Sequence, residues 1–407
     1  MPAHLIYLDY HATTPCDPLV IQEMLPWFGT RFGNASSRQH RFGWEASEAV
    51  QLAREQTAAL IGADPEEIVF TSGATESLNL AIKGTAEALS HRGKHIVTVA
   101  TEHSAVLDSC RHLERLGYEL TYLPVNGEGL IDPERLKRAL RSDTILVSIM
   151  WANNETGVTQ DMQALSSVIR ERNIWFLTDA TQAVGKIPVD LNLVDMMAFS
   201  AHKFYGPKGT GALYVRRRSP RVRIMPQLDG GGHEKGIRSG TLNVPGIVGM
   251  GKAAELAVHQ MDADMSRIAR YKAGFEATMG KLPEVYINGA NAPRLPTVTN
   301  LSFPFMEGSA LLAAATRSLA ISTGSACASS SLEPSHVLTG MGIGRELAFS
   351  SLRVSFGRPT TLSECEEAAS ILAQVLTQTR DESPIWQMHR EGNLEDLQDW
   401  KHPLQQS

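Results

Sequence analysis

Residues 174–200, IWFLTDATQAVGKIPVDLNLVDMMAFS, contain two near-continuous apolar runs separated by a more polar stretch. The runs are IWFLTD (174–179) and DMMAFS (195–200), and similar runs precede them at 95–100 and 144–150. Apolar runs without polar alternation are typical of strands that are buried on both faces, as in a parallel sheet. The four runs therefore predict the central strands of such a sheet.

Helical patterns at 104–117 and 161–173 lie between these strands, and a longer one spans about 245–280. Alternation of strand and helix predicts an α/β fold with a mainly parallel sheet and right-handed crossovers. A chain of 407 residues exceeds what one core usually covers, so a second, smaller α+β domain is expected after the long helix. We place the large domain at 16–262 and the small domain at 1–15 and 263–407.

Composition and charge favour an ordinary globular protein of the cytoplasm. The net charge is −6, and the densest basic stretch, RRRSPRVR (216–223), is short enough to be a solvated loop, so no nucleic-acid partner is predicted. The chain starts without a basic segment followed by an apolar run, which argues against a secretory signal. No apolar segment of 18 residues is present, so no membrane span is expected.

The cysteines are the first candidates for chemistry. Cys16, Cys110, Cys327 and Cys365 lie far apart without a CxxC pair, which argues against a disulfide framework or a Cys-rich zinc site, and no metal is predicted. Cys327 stands in STGSACASSSLEP (322–334) with no bulky apolar residue within four positions. Because a free cysteine usually behaves as a small buried hydrophobe, this thiol is either an idle surface group or a nucleophile.

Polar residues follow the predicted strands, where ligands gather in an open α/β sheet. Lys203 follows 195–200 directly, and partial desolvation of such an amine would favour its use as a nucleophile that forms a Schiff base. Asp179 ends the preceding strand, and Gly73 with Thr75 opens a helix whose free N–H groups suit a phosphate. A Schiff-base lysine, an acidic partner and a phosphate seat together indicate a pyridoxal phosphate site.

Eight motifs then connect the chain to a family. They are FGNASSRQHRFG, FTSGATESLNLAIKG, TEHSAVLDSC, NNETG, DATQAVGK, SAHKFYGPKG, GGGHEKGIRSGT and STGSACASSSLEP. In this order they resemble the cysteine desulfurases of the housekeeping iron–sulfur type. These enzymes form part of the class V aminotransferase branch of the fold-type I pyridoxal phosphate enzymes. The resemblance covers nearly the whole chain and implies a large domain with a mainly parallel seven-stranded sheet.

The resemblance also implies the roles of individual residues. Lys203 would hold pyridoxal 5′-phosphate, Asp179 its pyridine nitrogen and Gln182 its phenolic oxygen, while His103 would stack on the ring and move protons. The phosphate contacts would be Ala74, Thr75, Ser200, His202 and, from a neighbouring subunit, Thr241, which implies a homodimer with shared sites. Asn154 and Arg353 would hold the substrate carboxylate, since the planar fork of arginine binds a carboxylate bidentately. Cys327 would take the sulfur.

The implied reaction converts L-cysteine to L-alanine and leaves a persulfide on Cys327. The sulfur would then pass to an acceptor, an iron–sulfur scaffold or a sulfur-carrier protein. A selenocysteine lyase or another class V aminotransferase is the alternative within the enzymes, and a non-catalytic assembly or docking protein is the alternative outside them. An aminotransferase would not need the thiol of Cys327, and a docking protein would lack the yellow colour of a bound pyridoxal cofactor.

Overall fold

The computed structural model describes residues 5–218, 220–323, 333–394 and 398–403. A seven-stranded sheet forms its centre, in the order β2-β8-β7-β6-β5-β3-β4. The strands are β2 (Ile68–Thr71), β3 (His95–Val99), β4 (Glu119–Leu123), β5 (Thr144–Ser148), β6 (Trp175–Asp179), β7 (Met196–Ser200) and β8 (Gly211–Val215). Strand β8 runs antiparallel to the other six strands, so the expectation of a mainly parallel seven-stranded sheet is confirmed.

Helices cover both faces of this sheet, as the fully buried strands require. The helices of this part of the chain are α1 (Pro18–Met24), α2 (Arg41–Ile61), α3 (Ala74–Ala88), α4 (Ser104–Glu114), α5 (Pro133–Ala139), α6 (Met162–Arg170) and α7 (Val244–Met279). Every residue of β2, β3, β5, β6 and β7 is buried except Trp175 at the start of β6. The four predicted apolar runs are therefore central strands, as the sequence indicated.

The long helix α7 leaves the sheet and leads to a smaller α+β region. Its second half packs Ile268 and Phe275 into a separate apolar core. Two small sheets contribute to that region: β12-β10-β9, from β9 (Tyr286–Ile287), β10 (Val298–Ser302) and β12 (Ser351–Ser355), and β1 (Ile6–Tyr7) with β11 (Leu319–Ala320). Its helices are α8 (Gly308–Ala315), α9 (His336–Gly340), α10 (Arg345–Phe349), α11 (Leu362–Asp381) and α12 (Pro384–Arg390).

The apolar side chains form distinct cores in the two regions. Cores lie on the two faces of the large sheet, and another joins β1, β10, β12 and α11 with the second half of α7. Ile6 and Leu8 belong to the latter core, so the start of the chain packs with the C-terminal region. The domain limits 16–262 and 1–15 with 263–407 stay a prediction, which this separation of cores supports. No helix among the described residues is long and apolar enough to span a membrane.

Candidate active site

A cavity of about 490 Å³ opens at the carboxyl ends of the sheet strands. Most of the predicted site residues line it: Ala74, Thr75, His103, Asn154, Asp179, Gln182, Ser200, His202, Lys203 and Arg353. Thr241 is exposed outside this lining, and Cys327 lies outside the described residues. Buried parallel strands carry these side chains to one edge because each strand ends where its polar residues begin. The structure therefore brings most of these sequence motifs together at one edge of the sheet.

The start of α3 forms an open, polar end of the cavity. Gly73 precedes the helix with φ 155°, and no side chain caps the helix N-terminus. Gly211 of β8 permits this approach, since a Cβ there would stand 2.6 Å from the Cα of Gly73. Uncapped N–H groups at the positive end of a helix of this length attract an anion. This end of the cavity suits the phosphate that Ala74 and Thr75 were predicted to hold.

Ser200 and His202 belong to the same end of the cavity. Ser200 is the last residue of β7, and His202 lies two residues further in a short 3₁₀ segment, where its Nδ1 is 3.1 Å from Oγ1 of Thr13. Burial is the main cause that lowers the pKa of His202 to about 4, and the charge of Lys203 contributes. The imidazole is therefore neutral at pH 7 and can offer one N–H to a phosphate without carrying charge.

Lys203 lies directly after β7, as the sequence predicted. Its Nζ donates hydrogen bonds to the backbone carbonyl oxygens of His11 (2.6 Å) and Ala12 (2.8 Å). The amine is half-buried and borders the same cavity as the carboxylate of Asp179. Segment 8–14, which follows β1, thus packs against the amine of Lys203. Local sequence patterns did not reveal this contact.

Asp179 and Gln182 form the floor of the cavity. Asp179 ends β6, is buried, and accepts a hydrogen bond from the Thr181 N–H at 2.9 Å. Gln182 is fixed at both ends of its amide, since Nε2 donates to the His11 carbonyl at 3.0 Å and Oε1 accepts from Lys186 Nζ at 2.5 Å. Burial holds the pKa of Lys186 well below its usual range, and the charges of Lys203 and Arg353 act in the same direction. Sequence reasoning missed Lys186, although it stands in the quoted motif DATQAVGK.

His103 caps α4 at the side of the cavity. Its Nδ1 accepts a hydrogen bond from the Ala105 N–H at 3.1 Å. A nitrogen that accepts a backbone N–H carries no hydrogen of its own in the neutral ring, so the hydrogen belongs on Nε2. The backbone of α4 thereby selects one tautomer, and the ring can give or take a proton through Nε2.

Arg353 crosses to this site from β12, in the C-terminal region. Nη2 donates to Asp9 Oδ1 (2.9 Å) and to Ser322 Oγ (2.8 Å), and Nη1 donates to the backbone carbonyl of Asn154 (3.1 Å). The guanidinium is buried, yet its Nε has no hydrogen-bond partner among the described residues. A buried donor without a partner is costly and points to a missing acceptor, such as a carboxylate. Sequence reasoning missed Asp9 and Ser322, which orient this arginine.

These features fit pyridoxal 5′-phosphate on structural grounds. The cavity lies within the range of roughly 300–1,000 Å³ that small-ligand sites occupy. It offers an amine at Lys203, a carboxylate at Asp179 and an anion seat at the start of α3. The hydroxyl of Thr181, which also lines the cavity, is buried without a hydrogen-bond partner among the described residues.

Comparison with known proteins agrees with this geometry. The family model for class-V aminotransferases matches residues 6–367. Cysteine desulfurase IscS of Neisseria meningitidis serogroup C / serotype 2a (strain FAM18) is 54% identical over 389 residues, which are 95% of this chain and 96% of that protein. IscS of Pectobacterium carotovorum (strain PC1) is 52% identical over 402 residues, or 98% of this chain and 99% of that protein.

Solved structures give the same result. A NifS-like protein matches with a TM-score of 0.85 and 36% identity, covering 92% of this chain and all 100% of that chain. The structure titled "SspA in complex with cysteine" matches with a TM-score of 0.78 and 36% identity, covering 88% of this chain and 100% of that chain. The chain therefore belongs to the class-V aminotransferase family, whose enzymes depend on pyridoxal phosphate. Within that family it belongs to the cysteine desulfurases.

Proposed function

We propose that this protein converts L-cysteine to L-alanine with bound pyridoxal 5′-phosphate and transfers the sulfur to Cys327 as a persulfide. The observation that carries the proposal is one cavity lined by Lys203, Asp179 and Arg353 together. An amine, a carboxylate and a guanidinium at that edge supply a covalent attachment point, a cofactor partner and a substrate-carboxylate clamp.

The cofactor would be held by residues that the cavity already brings together. Lys203 would bind it covalently, Asp179 would pair with the pyridine nitrogen, and Gln182 would contact the phenolic oxygen. Its phosphate would lie at the start of α3, with contacts from Ala74, Thr75, Ser200, His202 and Thr241 of the partner subunit. When bound, this group supplies an electron sink next to the α-carbon of the substrate.

The chain's own residues would carry out the remaining tasks. Arg353 and Asn154, which both line the cavity, would hold the substrate carboxylate. His103 would move the α-proton through Nε2. The thiolate of Cys327 would attack the sulfur of the substrate, so that an S–S bond forms while the Cβ–S bond breaks. The electron pair of the broken bond stays with Cβ. Addition of a proton to that carbon then gives the methyl group of alanine.

The other cysteines support Cys327 as the nucleophile. Burial raises the pKa of Cys110 and of Cys365 to about 12, so both thiols stay protonated at neutral pH. Burial also raises the pKa of Cys16, which lies outside the cavity lining. Because the thiolate is the reactive form, none of these three is a good candidate for sulfur transfer.

An exposed apolar surface supports a homodimer with shared sites. Leu25, Phe28, Phe32, Phe42 and Trp44 are each at least 48% exposed, and the rings of Phe32 and Phe42 lie 5.3 Å apart. Clustered exposed aromatics on a globular protein mark an interaction surface. Thr241 is also exposed on this chain and, in a dimer, would contact the phosphate in the site of its partner. The cytoplasm, and an iron–sulfur scaffold or sulfur carrier as acceptor, stay predictions.

Assays of alanine and sulfide release from cysteine test the proposal. We expect wild type to be yellow and active, Lys203→Ala to lose both colour and turnover, and Cys327→Ser to keep the colour but lose turnover. Activity that survives in Cys327→Ser would favour another class V aminotransferase, and a strong preference for selenocysteine would favour a selenocysteine lyase. A colourless wild-type protein that cannot be reconstituted would favour a docking protein.

A further inference from the structure

Glu155 is a buried carboxylate that the proposed chemistry does not use. It stands in the NNETG turn after β5, next to the candidate substrate residue Asn154. The side chain of Asn153 fixes this turn, since its Oδ1 accepts the N–H groups of Glu155 (2.9 Å) and Thr156 (3.0 Å). Gly157 completes the turn at φ 77°, where a Cβ would meet Val298 at 2.3 Å. The carboxylate is therefore mounted on a rigid support.

This carboxylate holds Ser335, which lies on the C-terminal side of Cys327 in the sequence. Ser335 is the N-cap of α9: its Oγ accepts the Leu338 N–H at 3.2 Å and donates to Glu155 Oε2 at 2.5 Å. His336 adds a contact between its Nε2 and the carbonyl of Glu102 at 2.9 Å. Ser335 follows Cys327 by eight residues in the sequence.

The chain in front of Cys327 is tied to the same site. Ser322 Oγ donates to Asp9 Oδ1 at 3.0 Å and accepts from Arg353 Nη2 at 2.8 Å. Its backbone also pairs with that of Arg353. Ser322 precedes Cys327 by five residues. The anchor in front of the thiol therefore ends on Arg353, which lines the cavity, and the anchor behind it ends on Glu155, the neighbour of the lining residue Asn154.

We propose that Glu155 is a positioning residue for sulfur transfer: through its hydrogen bond to Ser335 it fixes where the chain behind Cys327 is attached to the substrate-carboxylate turn. The inference rests on the proposed function and adds to it. The turn holds Glu155 rigidly, the carboxylate accepts a hydrogen bond from Ser335, and Ser335 in turn caps a helix, so the contact can act as an anchor. Misplacement of a reacting group by about 1 Å can cost roughly 100-fold in rate, so such an anchor matters for catalysis without touching the substrate.

The anchor has a pH-dependent strength. Burial raises the pKa of Glu155 to about 7, while Ser335, Arg353 and His103 act to lower it. Above that pH the carboxylate is ionised and its bond to Ser335 is charge-assisted, and below it the bond weakens. Removing the Ser335 hydroxyl takes away a contact that favours the ionised form, so the midpoint should move to higher pH.

The test compares Ser335→Ala with Ser383→Ala, which removes a matched cap elsewhere. Ser383 caps α12, accepts from the Trp386 N–H at 3.3 Å and donates to the Phe305 carbonyl at 3.0 Å. We expect both variants to lose a similar amount of thermal stability. Only Ser335→Ala should lose kcat, by roughly 10- to 100-fold, with KM for cysteine and the cofactor colour unchanged. Ser335→Thr should restore kcat.

A second readout does not depend on turnover. Infrared difference spectra of wild type against Glu155→Gln should show a carboxyl that titrates near neutral pH, and Ser335→Ala should move its midpoint upward. The rate profile should shift in the same direction between wild type and Ser335→Ala, although Cys327 ionisation also contributes to its slope. Equal kcat losses in the two serine variants, or none in Ser335→Ala with active wild type, would overturn this inference alone. A wild type that makes no alanine would overturn the proposed function, and this inference with it.

Discussion

The two walls of the cavity are built in different ways. The strand-end wall comes from residues that end two neighbouring strands of one sheet or follow them by three positions: Asp179, Gln182, Ser200 and Lys203. The arginine wall is formed by Arg353 of β12, which Asp9 and Ser322 hold from outside the cavity lining, and Asp9 stands 344 positions before Arg353. Folding of the large sheet is enough to form the strand-end wall. The arginine wall forms only when the C-terminal region packs against the large sheet region. This difference predicts separable effects of mutation.

The largest effect is expected at Arg353. Arg353→Lys keeps a positive charge but loses the planar fork that reaches Asp9, Ser322 and Asn154 together. We expect kcat/KM for cysteine to fall by roughly 100-fold, because the substrate carboxylate loses its bidentate partner and its orientation. The cofactor colour should remain, since the strand-end wall is intact. Steady-state kinetics and absorption spectra measure both quantities.

A paired substitution separates binding from stability at the same position. Arg353→Ala leaves Asp9 without its buried partner, and loss of one member of such a pair costs about 3–5 kcal/mol in free energy of unfolding. The double variant Arg353→Ala/Asp9→Ala should recover part of that stability in urea unfolding but none of the activity. Wild-type kcat/KM in either arginine variant would contradict the assignment of this wall to the substrate.

The same contrast explains which parts of the site were predictable from sequence. Asp179 ends a buried strand and Lys203 follows another by three positions, and a charged residue at or just after the end of an apolar run can be recognised within a few positions. Asp9 and Ser322 meet although 313 positions separate them, and no local pattern encodes such a contact. Ser322 begins the family motif STGSACASSSLEP, Asp9 lies near the start of the chain, and the resemblance did not link the two. Residue types indicated the chemistry, while the assembled fold was needed for the partners.

An intermediate effect is expected at Lys186, behind the strand-end wall. Lys186→Met keeps the volume but removes the donor that orients the Gln182 amide. We expect cofactor affinity to fall roughly tenfold, as for loss of one hydrogen bond. The absorption band of the bound cofactor should shift, because Gln182 was predicted to contact its phenolic oxygen. Titration of the apoprotein with pyridoxal 5′-phosphate measures the affinity.

Stability should change in the opposite direction in this variant. Burial depresses the pKa of Lys186 below its usual 10.5, so the folded state binds fewer protons than the unfolded state. Stability of the wild-type apoprotein therefore rises with pH up to about 10.5, and at pH 7 the buried amine is a cost that methionine removes. Lys272→Met is the control: burial lowers the pKa of Lys272 to about 8, and it lies outside the cavity lining. A tighter cofactor complex in Lys186→Met would contradict the role of this lysine.

Two strands of the sheet show where the sequence patterns were too weak. The strand β4 reads ELTYL and is half-exposed, so it lacks the apolar run that marks its neighbours. The strand β8 reads GALYV and follows β7 after residues 201–210. A parallel crossover needs about a dozen residues or more, so this connection allows only an antiparallel neighbour. The length of the β7–β8 connection, rather than the composition of β8, could have predicted the direction of β8.

The smallest effect is expected behind the arginine wall, at His402. Its Nε2 lies 3.0 Å from Asn288 Oδ1, its ring stacks on Tyr286, and Asn288 Nδ2 donates to Asn300 Oδ1 at 2.6 Å. His402→Ala leaves a buried amide oxygen unsatisfied, so the free energy of unfolding should fall by about 1–3 kcal/mol at pH 8. Turnover should not change, because His402 lies outside the cavity lining.

The pH dependence of this difference gives a sharper test than its size. Burial lowers the pKa of His402 from 6.5 to about 4, against a smaller opposing effect of Glu128. The folded state therefore resists a proton that the unfolded state accepts, and wild type loses this part of its stability as the pH falls from 6.5 towards 4. The stability gap between wild type and His402→Ala should be widest above pH 6.5 and should narrow below it. A gap that stays constant between pH 8 and pH 4.5 in urea unfolding would show that this imidazole is not held neutral, and a loss of turnover would show that the arginine wall extends to the end of the chain.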